Sequence, residues 1–193
     1  MSFVEISNIV GLSGFVLWAV LERSFFLSGQ HQAGEKNREQ VSFWLISLFW
    51  YVSMIYAILD AWSLEWTTFE ASLWSLRMLG ITLTGLGLVF RFLARSALGK
   101  HYSVHVATSE RHELVTNGIY GLIRHPAYLG LLCLFLGIPL CEGSWVGFLV
   151  ALGGGIPMVL YRISIEEKLL VDWFGERYSA YKKGTWRLIP YIW

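Results

Sequence analysis

Five long apolar runs, separated by short polar segments, dominate the pattern of hydrophobic and polar positions along the chain. A helix needs about 20 mostly apolar residues to cross the hydrocarbon core of a membrane. Each run approaches this length once flanking aromatic residues and the apolar stems of terminal charged residues are included. The pattern predicts an all-α integral membrane protein, a single membrane domain over residues 1–193. Its transmembrane helices, about five in number, are expected at approximately 6–27, 41–62, 73–95, 126–141 and 143–165.

The composition supports a membrane location. Of the 193 residues, 55% are hydrophobic and only 15% are charged, and the mean hydropathy is +0.51. A typical soluble domain carries about 25% charged residues. With a formal net charge of +1, the chain also lacks the basic excess that marks nucleic-acid-binding domains, so we expect no nucleic-acid partner.

The basic residues are unevenly distributed between the predicted loops. Cytoplasmic loops of membrane proteins carry an excess of lysine and arginine. Of the 15 basic residues, only Arg77 falls on the side of the opposite loops. Those loops carry acidic residues instead, namely Asp60, Glu65, Glu70 and Glu142. The asymmetry predicts that the N-terminus lies outside and that the C-terminus is cytoplasmic.

Two segments interrupt the apolar pattern with dense polar groups, and the predicted topology makes both cytoplasmic. They comprise residues 96–125 and 162–193. Because both would lie on the same side of the membrane, a water-soluble cofactor could reach them together. We therefore expect these two segments to form a cytoplasmic cofactor-binding region over the helix ends.

The first polar segment leads directly into the fourth predicted span. Asn117-Gly118 is a turn signal. Pro126 fits the first turn of a helix, where the missing backbone N–H is not needed. The fourth span is therefore predicted to begin at Pro126, which leaves Arg124 and His125 at the membrane boundary rather than inside it.

The second polar segment continues the fifth predicted span. A helix from residue 143 to residue 174 would be about 48 Å long, against a hydrocarbon core of about 30 Å. Its last turns must then project into the cytosol. Arg162 and Glu166 are four residues apart and share one helix face. Charged groups near membrane depth usually face a bundle interior or a wet cavity, so this pair is a site candidate.

Each of these signals also has a purely structural interpretation. Arg162 could extend its charged end to the membrane surface, and Glu166 with Glu167 could form a solvated helix face. Tyr178 and Tyr181 are expected to pack the C-terminal helix back on the bundle rather than to bind ligand. No metal site is expected, because the histidines at helical spacing lie in a segment with an extended pattern.

Three motifs occur in order in the C-terminal half of the chain. They are HELVTNGIYGLIRHPAYLG at 112–130, RISIEEKLLVDWFGERYSAY at 162–181 and RLIPYI at 187–192. In this combination the sequence resembles the isoprenylcysteine carboxyl methyltransferase family and related small membrane phospholipid methyltransferase-like proteins. The N-terminal spans are similar to that family only in hydropathy.

The resemblance implies an enzyme with S-adenosyl-L-methionine as its cofactor. Arg162 matches the family's substrate-binding arginine and is also our candidate for the catalytic residue. His105 stands where relatives carry a glutamine that contacts the cofactor. The cofactor-binding positions implied by the match are His105, His112, Glu113, Leu114, Val115, Tyr120, His125, Pro126, Ala127, Tyr128 and Glu166.

The resemblance further implies methyl transfer to a lipophilic acceptor, most simply to a carboxylate. A carboxylate is already deprotonated at neutral pH, so the reaction needs alignment and exclusion of water rather than a general base. Arg162 has the permanent charge and planar fork that suit a carboxylate. The acceptor, a lipophilic small molecule or a lipidated molecule, would enter from the bilayer, and membrane lipid is the other expected partner.

Three other functions stay open on the sequence alone. Small relatives with similar motifs methylate phospholipid amines or thiols. Sterol-reductase-like NADPH enzymes share a related His-Pro-x-Tyr pattern and a terminal Ile-Pro-Tyr-Ile pattern, although they are much larger. A noncatalytic membrane adaptor would use the polar segments only to bind a partner.

Overall fold

The protein is almost entirely helical in the computed structural model, which describes residues 1–28, 36–98 and 114–191. Extended structure within these ranges is limited to two isolated bridges. The predicted all-α fold is therefore confirmed. In chain order the α-helices are α1 (Phe3–Ser28), α2 (Lys36–Leu59), α3 (Trp74–Leu98), α4 (Pro126–Glu142), α5 (Trp145–Val150), α6 (Ile156–Phe174) and α7 (Glu176–Lys183).

In the described part of the chain, four helical segments are long and apolar enough to cross a membrane. They correspond to the first, second, third and fifth predicted spans. The fourth predicted span forms α4, which is apolar but has only 17 residues, or about 25 Å of helical rise. A crossing by α4, and with it the total of five spans, stays a prediction. The four segments are Phe3–Leu21, Trp44–Leu64, Trp74–Leu98 and Trp145–Phe174.

Helix α4 occupies the centre of the bundle and contacts α1, α2, α3 and α6. It is apolar on all sides, as expected for a helix without a solvent-facing stripe. Leu134, Phe135 and Ile138 are fully buried, and the Phe135 ring meets Trp50 of α2 edge-on with 4.6 Å between centroids. This packing places the first turn of α4, where the polar motif ends, between α3 and α6.

Small residues bring α3 and α4 close together. A Cβ added at Gly80 of α3 would lie 2.5 Å from a backbone nitrogen of α4, and one added at Gly137 would lie 2.7 Å from the backbone nitrogen of Thr84. The close approach extends toward the polar end of the two helices, where Gly87 lies against Gly130. Such small residues allow helix backbones to pack closely in membranes, and here they fix α4 along α3.

Helices α5 and α6 form one continuous helical segment of 30 residues, about 45 Å long by helical rise. A π-helical turn, Ala151–Gly155, joins them just before Pro157, whose missing N–H would interrupt a regular α-helix. The predicted continuation of the fifth span to residue 174 is confirmed, because α6 ends at Phe174. Its last turns exceed a hydrocarbon core of about 30 Å.

The polar residues form two groups at opposite ends of the bundle. At one end, buried Arg77 donates a hydrogen bond to Asn8, and the buried carboxylate of Asp60 accepts one from Ser144. The other end carries the described residues of both polar segments. This separation agrees with the predicted sidedness of the loops, while the assignment of one end to the cytoplasm stays a prediction.

Candidate functional site

Three side chains from α4 and α6 form a chain of hydrogen bonds at the polar end of the bundle. The Tyr128 hydroxyl donates to Oε2 of Glu166 over 2.7 Å and accepts from Nε of Arg162 over 3.4 Å. The four-residue spacing of Arg162 and Glu166 puts both on the face of α6 that meets the first turn of α4. The structure therefore brings together three residues that the sequence singled out.

Arg162 and Glu166 differ in their exposure. Arg162 is only 2% exposed, in a stretch of α6 whose Val159 and Ile163 are fully buried. Glu166, one turn further from the apolar core, is half-buried. A snorkelling arginine extends its charged end to water, so the burial of Arg162 favours its interpretation as a site residue. This face of α6 thus leads from an apolar interior to a wetter boundary.

The loop before α4 contributes a second group of the predicted cofactor-binding residues. Leu114 and Val115 are half-buried, and a 3-10 turn follows over Gly118–Gly121. Gly118 has a φ of 58°, which residues with a Cβ rarely adopt, so the turn signal is confirmed. Tyr120 is buried within this turn. Three further predicted residues lie outside the described part of the chain: His105, His112 and Glu113.

The loop ends where α4 begins, as predicted. Pro126 occupies the first turn of α4, and His125 precedes it with its side chain buried. The carbonyl of Ala127 accepts a hydrogen bond from buried Arg91 of α3 over 3.3 Å. The run from His125 to Tyr128 therefore lies between α3 on one side and α6 on the other.

Glu167 is 6% exposed and contacts four basic side chains. Its Oε1 lies 3.0 Å from Nε of Arg124 and 3.3 Å from Nε2 of His125. Its Oε2 lies 3.0 Å from Nη2 of Arg187 and 3.6 Å from Nζ of Lys182. The interpretation of this carboxylate as part of a solvated helix face is wrong, because the loop before α4 and the C-terminal segment cover it.

The chain after α6 turns back toward the bundle at Gly175, where φ is 52°, and α7 follows at once. Tyr178 is buried, and Tyr181 donates its hydroxyl hydrogen to the carbonyl of Tyr120 over 2.6 Å. Burial raises the pKa of Tyr181 to about 12, so this hydroxyl stays protonated at neutral pH. Burial, with the nearby carboxylate of Glu167, also raises the pKa of Tyr178. The expectation that these tyrosines pack α7 on the bundle is confirmed.

Beyond α7, the backbone runs parallel to the loop before α4. The N–H of Arg124 donates to the carbonyl of Trp186 over 2.8 Å, and the N–H of Trp186 donates to the carbonyl of Leu122 over 3.0 Å. The N–H of His125 donates to the carbonyl of Arg187 over 3.2 Å. The C-terminal segment is thus built into the wall that carries the Arg-His-Pro motif.

Sequence reasoning missed this network around Glu167. Arg124 is predicted only to lie at the membrane boundary, and the sequence suggests no role for Lys182 or Arg187. One available signal was the pair of adjacent glutamates, because consecutive helical residues point about 100° apart. If Glu166 shares the face of Arg162, then Glu167 must meet a different neighbour.

The arrangement offers complementary groups for a polar ligand and for an anion. An ionised carboxylate has about four acceptor positions, so Glu166 can accept hydrogen bonds in addition to the one from Tyr128. Such an acceptor suits the amines or hydroxyls of a ligand at the polar boundary. Arg162 presents a guanidinium, which has five N–H donors in a planar fork, next to the apolar core.

Comparisons with known proteins identify the family of the chain. The phospholipid methyltransferase family matches residues 76–177, which is more than half of the chain. Protein-S-isoprenylcysteine O-methyltransferase of Schizosaccharomyces pombe is 36% identical over 115 residues, covering 55% of this chain and 46% of the relative. The enzyme of the same name from Dictyostelium discoideum is 28% identical over 144 residues, covering 73% and 60%. The chain therefore spans about half of the length of these curated relatives.

A solved structure shows the same fold. It is the eukaryotic intramembrane Ras methyltransferase, isoprenylcysteine carboxyl methyltransferase, which matches with a TM-score of 0.59 at 20% sequence identity. The match covers 96% of this chain and 68% of that chain. The family match and the curated relatives confirm the resemblance drawn from the motifs. The four long apolar helices support an integral membrane protein. The chain belongs to the phospholipid methyltransferase family.

Proposed function

We propose that the protein is a membrane methyltransferase that uses S-adenosyl-L-methionine and transfers a methyl group to a carboxylate of a lipophilic acceptor. The observation that carries this proposal is the chain of hydrogen bonds from buried Arg162 through Tyr128 to half-buried Glu166. It couples a cation beside the apolar core to an anion at the polar boundary. The curated relatives are named O-methyltransferases, which supports methyl transfer to oxygen.

The residues that would hold the cofactor belong to the end of α6, to the segment before α4 and to the first turn of α4. When bound, S-adenosyl-L-methionine supplies an electrophilic methyl group on a sulfonium centre. Glu166 would accept hydrogen bonds from a polar part of the cofactor, a role that its partial exposure supports. The other residues proposed to contribute are His105, His112, Glu113, Leu114, Val115, Tyr120, His125, Pro126, Ala127 and Tyr128.

Arg162 would bind the acceptor carboxylate and orient it. Its guanidinium is charged at any working pH and can donate two parallel hydrogen bonds to a carboxylate. Burial limits screening by water and salt, so the Coulomb attraction between the two charges is stronger than at a surface. A carboxylate is deprotonated at neutral pH, so no residue has to remove a proton. The protein must instead hold the acceptor oxygen in line with the methyl group and exclude water.

The acceptor would enter from the bilayer, while the cofactor would enter from water on the cytoplasmic side. The distribution of basic residues supports an external N-terminus and a cytoplasmic C-terminus. The site residues of α4 and α6 lie at the end of the bundle opposite Arg77 and Asp60, which agrees with that orientation. A lipidated peptide or a lipophilic carboxylic acid fits both requirements.

Methylation of a phospholipid amine is the second candidate, and the description of the matching family favours it. An amine acceptor must lose a proton in the course of the reaction. Arg162 is a poor proton acceptor because the pKa of a guanidinium is above about 12. An amine acceptor would therefore need a residue other than Arg162 to take its proton. The relatives reported above are methyltransferases, and neither a sterol-reductase-like NADPH enzyme nor a noncatalytic adaptor gains support from them.

Two measurements test the proposal. Calorimetric titration of the full-length protein in lipid nanodiscs should show binding of S-adenosyl-L-methionine and of its demethylated product. Labelled methyl groups transferred in native membranes should then be released as methanol by mild base, as expected for an ester. Retention of the label would indicate N- or S-methylation instead, and absence of binding to either ligand would reject a methyltransferase function.

A further inference from the structure

We propose that Glu167 is a positioning residue, which fastens the C-terminal segment to the loop before α4 and so holds the cofactor-binding residues of that loop in place. This inference rests on the proposed function, because it assigns Glu167 a role toward the same cofactor site. The contacts of Glu167 are basic side chains from two other parts of the chain, whereas its neighbour Glu166 is bonded to Tyr128.

The Glu167 carboxylate divides its oxygens between the two segments. Oε1 contacts Arg124 and His125, which belong to the loop before α4. Oε2 contacts Arg187 and Lys182, which belong to the C-terminal segment. One carboxylate on α6 therefore joins two segments that are far apart in sequence.

Further bonds between the two segments depend on the orientation that Glu167 gives to Arg124. With Nε of Arg124 directed at Glu167, Nη1 donates to the carbonyl of Lys182 over 3.1 Å and to the carbonyl of Thr185. A guanidinium is planar and rigid, so fixing one of its N–H groups fixes the others. The backbone bonds of Arg124 and His125 to the C-terminal segment lie directly beside this contact.

Glu167 and its four basic contacts form an ion-pair bridge between the two segments. The part of this bridge that lies on the loop before α4 is poorly solvated, which makes its charge balance important. The side chains of Arg124, His125 and Glu167 are 9%, 3% and 7% exposed. A buried charge that loses its counter-charge keeps its full desolvation penalty. Neutralising Glu167 would leave Arg124 and Arg187 close together without an anion between them. We expect the C-terminal segment to separate from the loop so that both guanidinium groups reach water.

His125 connects the bridge to the proposed cofactor site. Its ring contacts Glu167, and its backbone N–H donates a hydrogen bond to the C-terminal segment. The centroid of the same ring lies 5.8 Å from that of Tyr128, whose hydroxyl is the partner of Glu166. A displaced His125 would therefore disturb Tyr128 and Glu166 even though Glu167 itself need not touch the cofactor.

Glu167→Gln in the full-length protein tests the inference, with Asp172→Asn as a matched control. Glutamine keeps the shape of the side chain but removes its charge, and Asp172 is an exposed acid on the same helix. Hydrogen exchange of the ligand-free protein is measured in peptides 120–126 and 184–189, which cover the two segments that Glu167 joins. Calorimetry measures the binding of S-adenosylhomocysteine, the demethylated product of the cofactor. In Glu167→Gln we expect the hydrogen-exchange rate of both peptides and the dissociation constant for S-adenosylhomocysteine to rise about tenfold. Asp172→Asn should behave like wild type in both measurements.

Kinetics separate positioning from a general loss of structure. Glu167→Gln should raise the KM for S-adenosyl-L-methionine more than the KM for the acceptor, because the acceptor residue Arg162 is reached only through Tyr128. Exchange in α1 to α3 should be unaltered. Adding Arg187→Gln to Glu167→Gln should restore part of the cofactor affinity, because it removes an unbalanced cation. If Glu167→Gln does not fold, Arg187→Gln alone weakens the same bridge from its more exposed side and should give the same changes.

Three results would overturn the inference. They are unchanged exchange in the two peptides, increased exchange with unaltered ligand binding, and equal increases in the KM for the cofactor and for the acceptor. Failure of the wild-type protein to bind S-adenosylhomocysteine would reject the proposed function itself, and the inference with it. Wild-type binding together with equal binding by Glu167→Gln rejects the inference alone.

Discussion

The guanidinium of Arg162 and the carboxylate of Glu166 meet at a single hydroxyl group, that of Tyr128. Both charged residues belong to α6, but Tyr128 comes from α4. Their alignment therefore depends on the packing of two helices and not on helical spacing alone. A change at Tyr128 should reach both the proposed cofactor site and the proposed acceptor site.

Tyr128→Phe should weaken cofactor binding while leaving the fold intact. The substitution removes the hydroxyl between Glu166 and Arg162 but keeps the ring. Because hydrogen bonds to charged groups contribute about 1.5–3 kcal/mol, we expect the dissociation constant for S-adenosyl-L-methionine to rise about tenfold or more. Calorimetry measures this, with Tyr161→Phe, an exposed tyrosine of α6, as the control. Equal affinities of wild type and Tyr128→Phe would contradict a role for the hydroxyl.

Arg162→Lys should impair use of the acceptor more than binding of the cofactor. Lysine keeps the positive charge but lacks the planar fork that binds a carboxylate at two points. The kcat/KM for the acceptor should fall about tenfold to a hundredfold, as expected for the loss of one charge-assisted hydrogen bond. Steady-state kinetics with labelled cofactor measure the change, and Arg177→Lys, at an exposed position of α7, serves as the control. Unaltered acceptor kinetics would remove Arg162 from acceptor binding.

The helices could be predicted because the length of an apolar run and the chemistry of proline act locally. The start of α4 at Pro126 and the continuation of α6 to Phe174 followed from these two features. The shared face of Arg162 and Glu166 followed from helical spacing. The position of Tyr128 between them could not be predicted, because it depends on how α4 packs against α6.

The partners of Glu167 could not be identified from its own surroundings in the sequence. Glu166 and Glu167 have the same chemistry and adjacent positions, yet one is half-buried and the other is enclosed by basic side chains. The difference arises because the chain reverses after Gly175 and returns to the loop before α4. Contacts between segments so distant in sequence leave no periodic signal.

Gly80→Ala should destabilise the protein, whereas Gly85→Ala on the same helix should not. A Cβ at Gly80 would lie 2.5 Å from a backbone nitrogen of α4, and a Cβ at Gly85 would meet nothing within 4 Å. Overpacking costs about 1–3 kcal/mol, while alanine at an open helical position stabilises by up to about 1 kcal/mol. Thermal unfolding in one detergent compares the two variants. Equal melting temperatures would contradict the close packing of α3 and α4.

The hydroxyl of half-buried Tyr181 should make stability depend on alkaline pH. Burial raises its pKa to about 12, compared with about 10 for tyrosine in an unfolded chain. The folded protein therefore holds this proton more tightly than the unfolded chain. The resulting stabilisation is complete below about pH 10 and is lost as the pH rises toward about 12.

Tyr181→Phe removes this ionisation together with the hydrogen bond to the carbonyl of Tyr120. The variant should be less stable than wild type by about 1 kcal/mol at neutral pH, but its melting temperature should fall less steeply above about pH 10. The raised pKa of Tyr178 comes mainly from its burial and from Glu167, with Tyr181 as the last contributor, so most of its effect is common to both proteins and cancels from the difference. Tyr191→Phe, at a position that is 86% exposed, should match wild type at every pH. Parallel curves of melting temperature against pH for wild type and Tyr181→Phe in the alkaline range would show that the hydroxyl of Tyr181 is not buried. The packing of α7 against the loop before α4 would then be wrong.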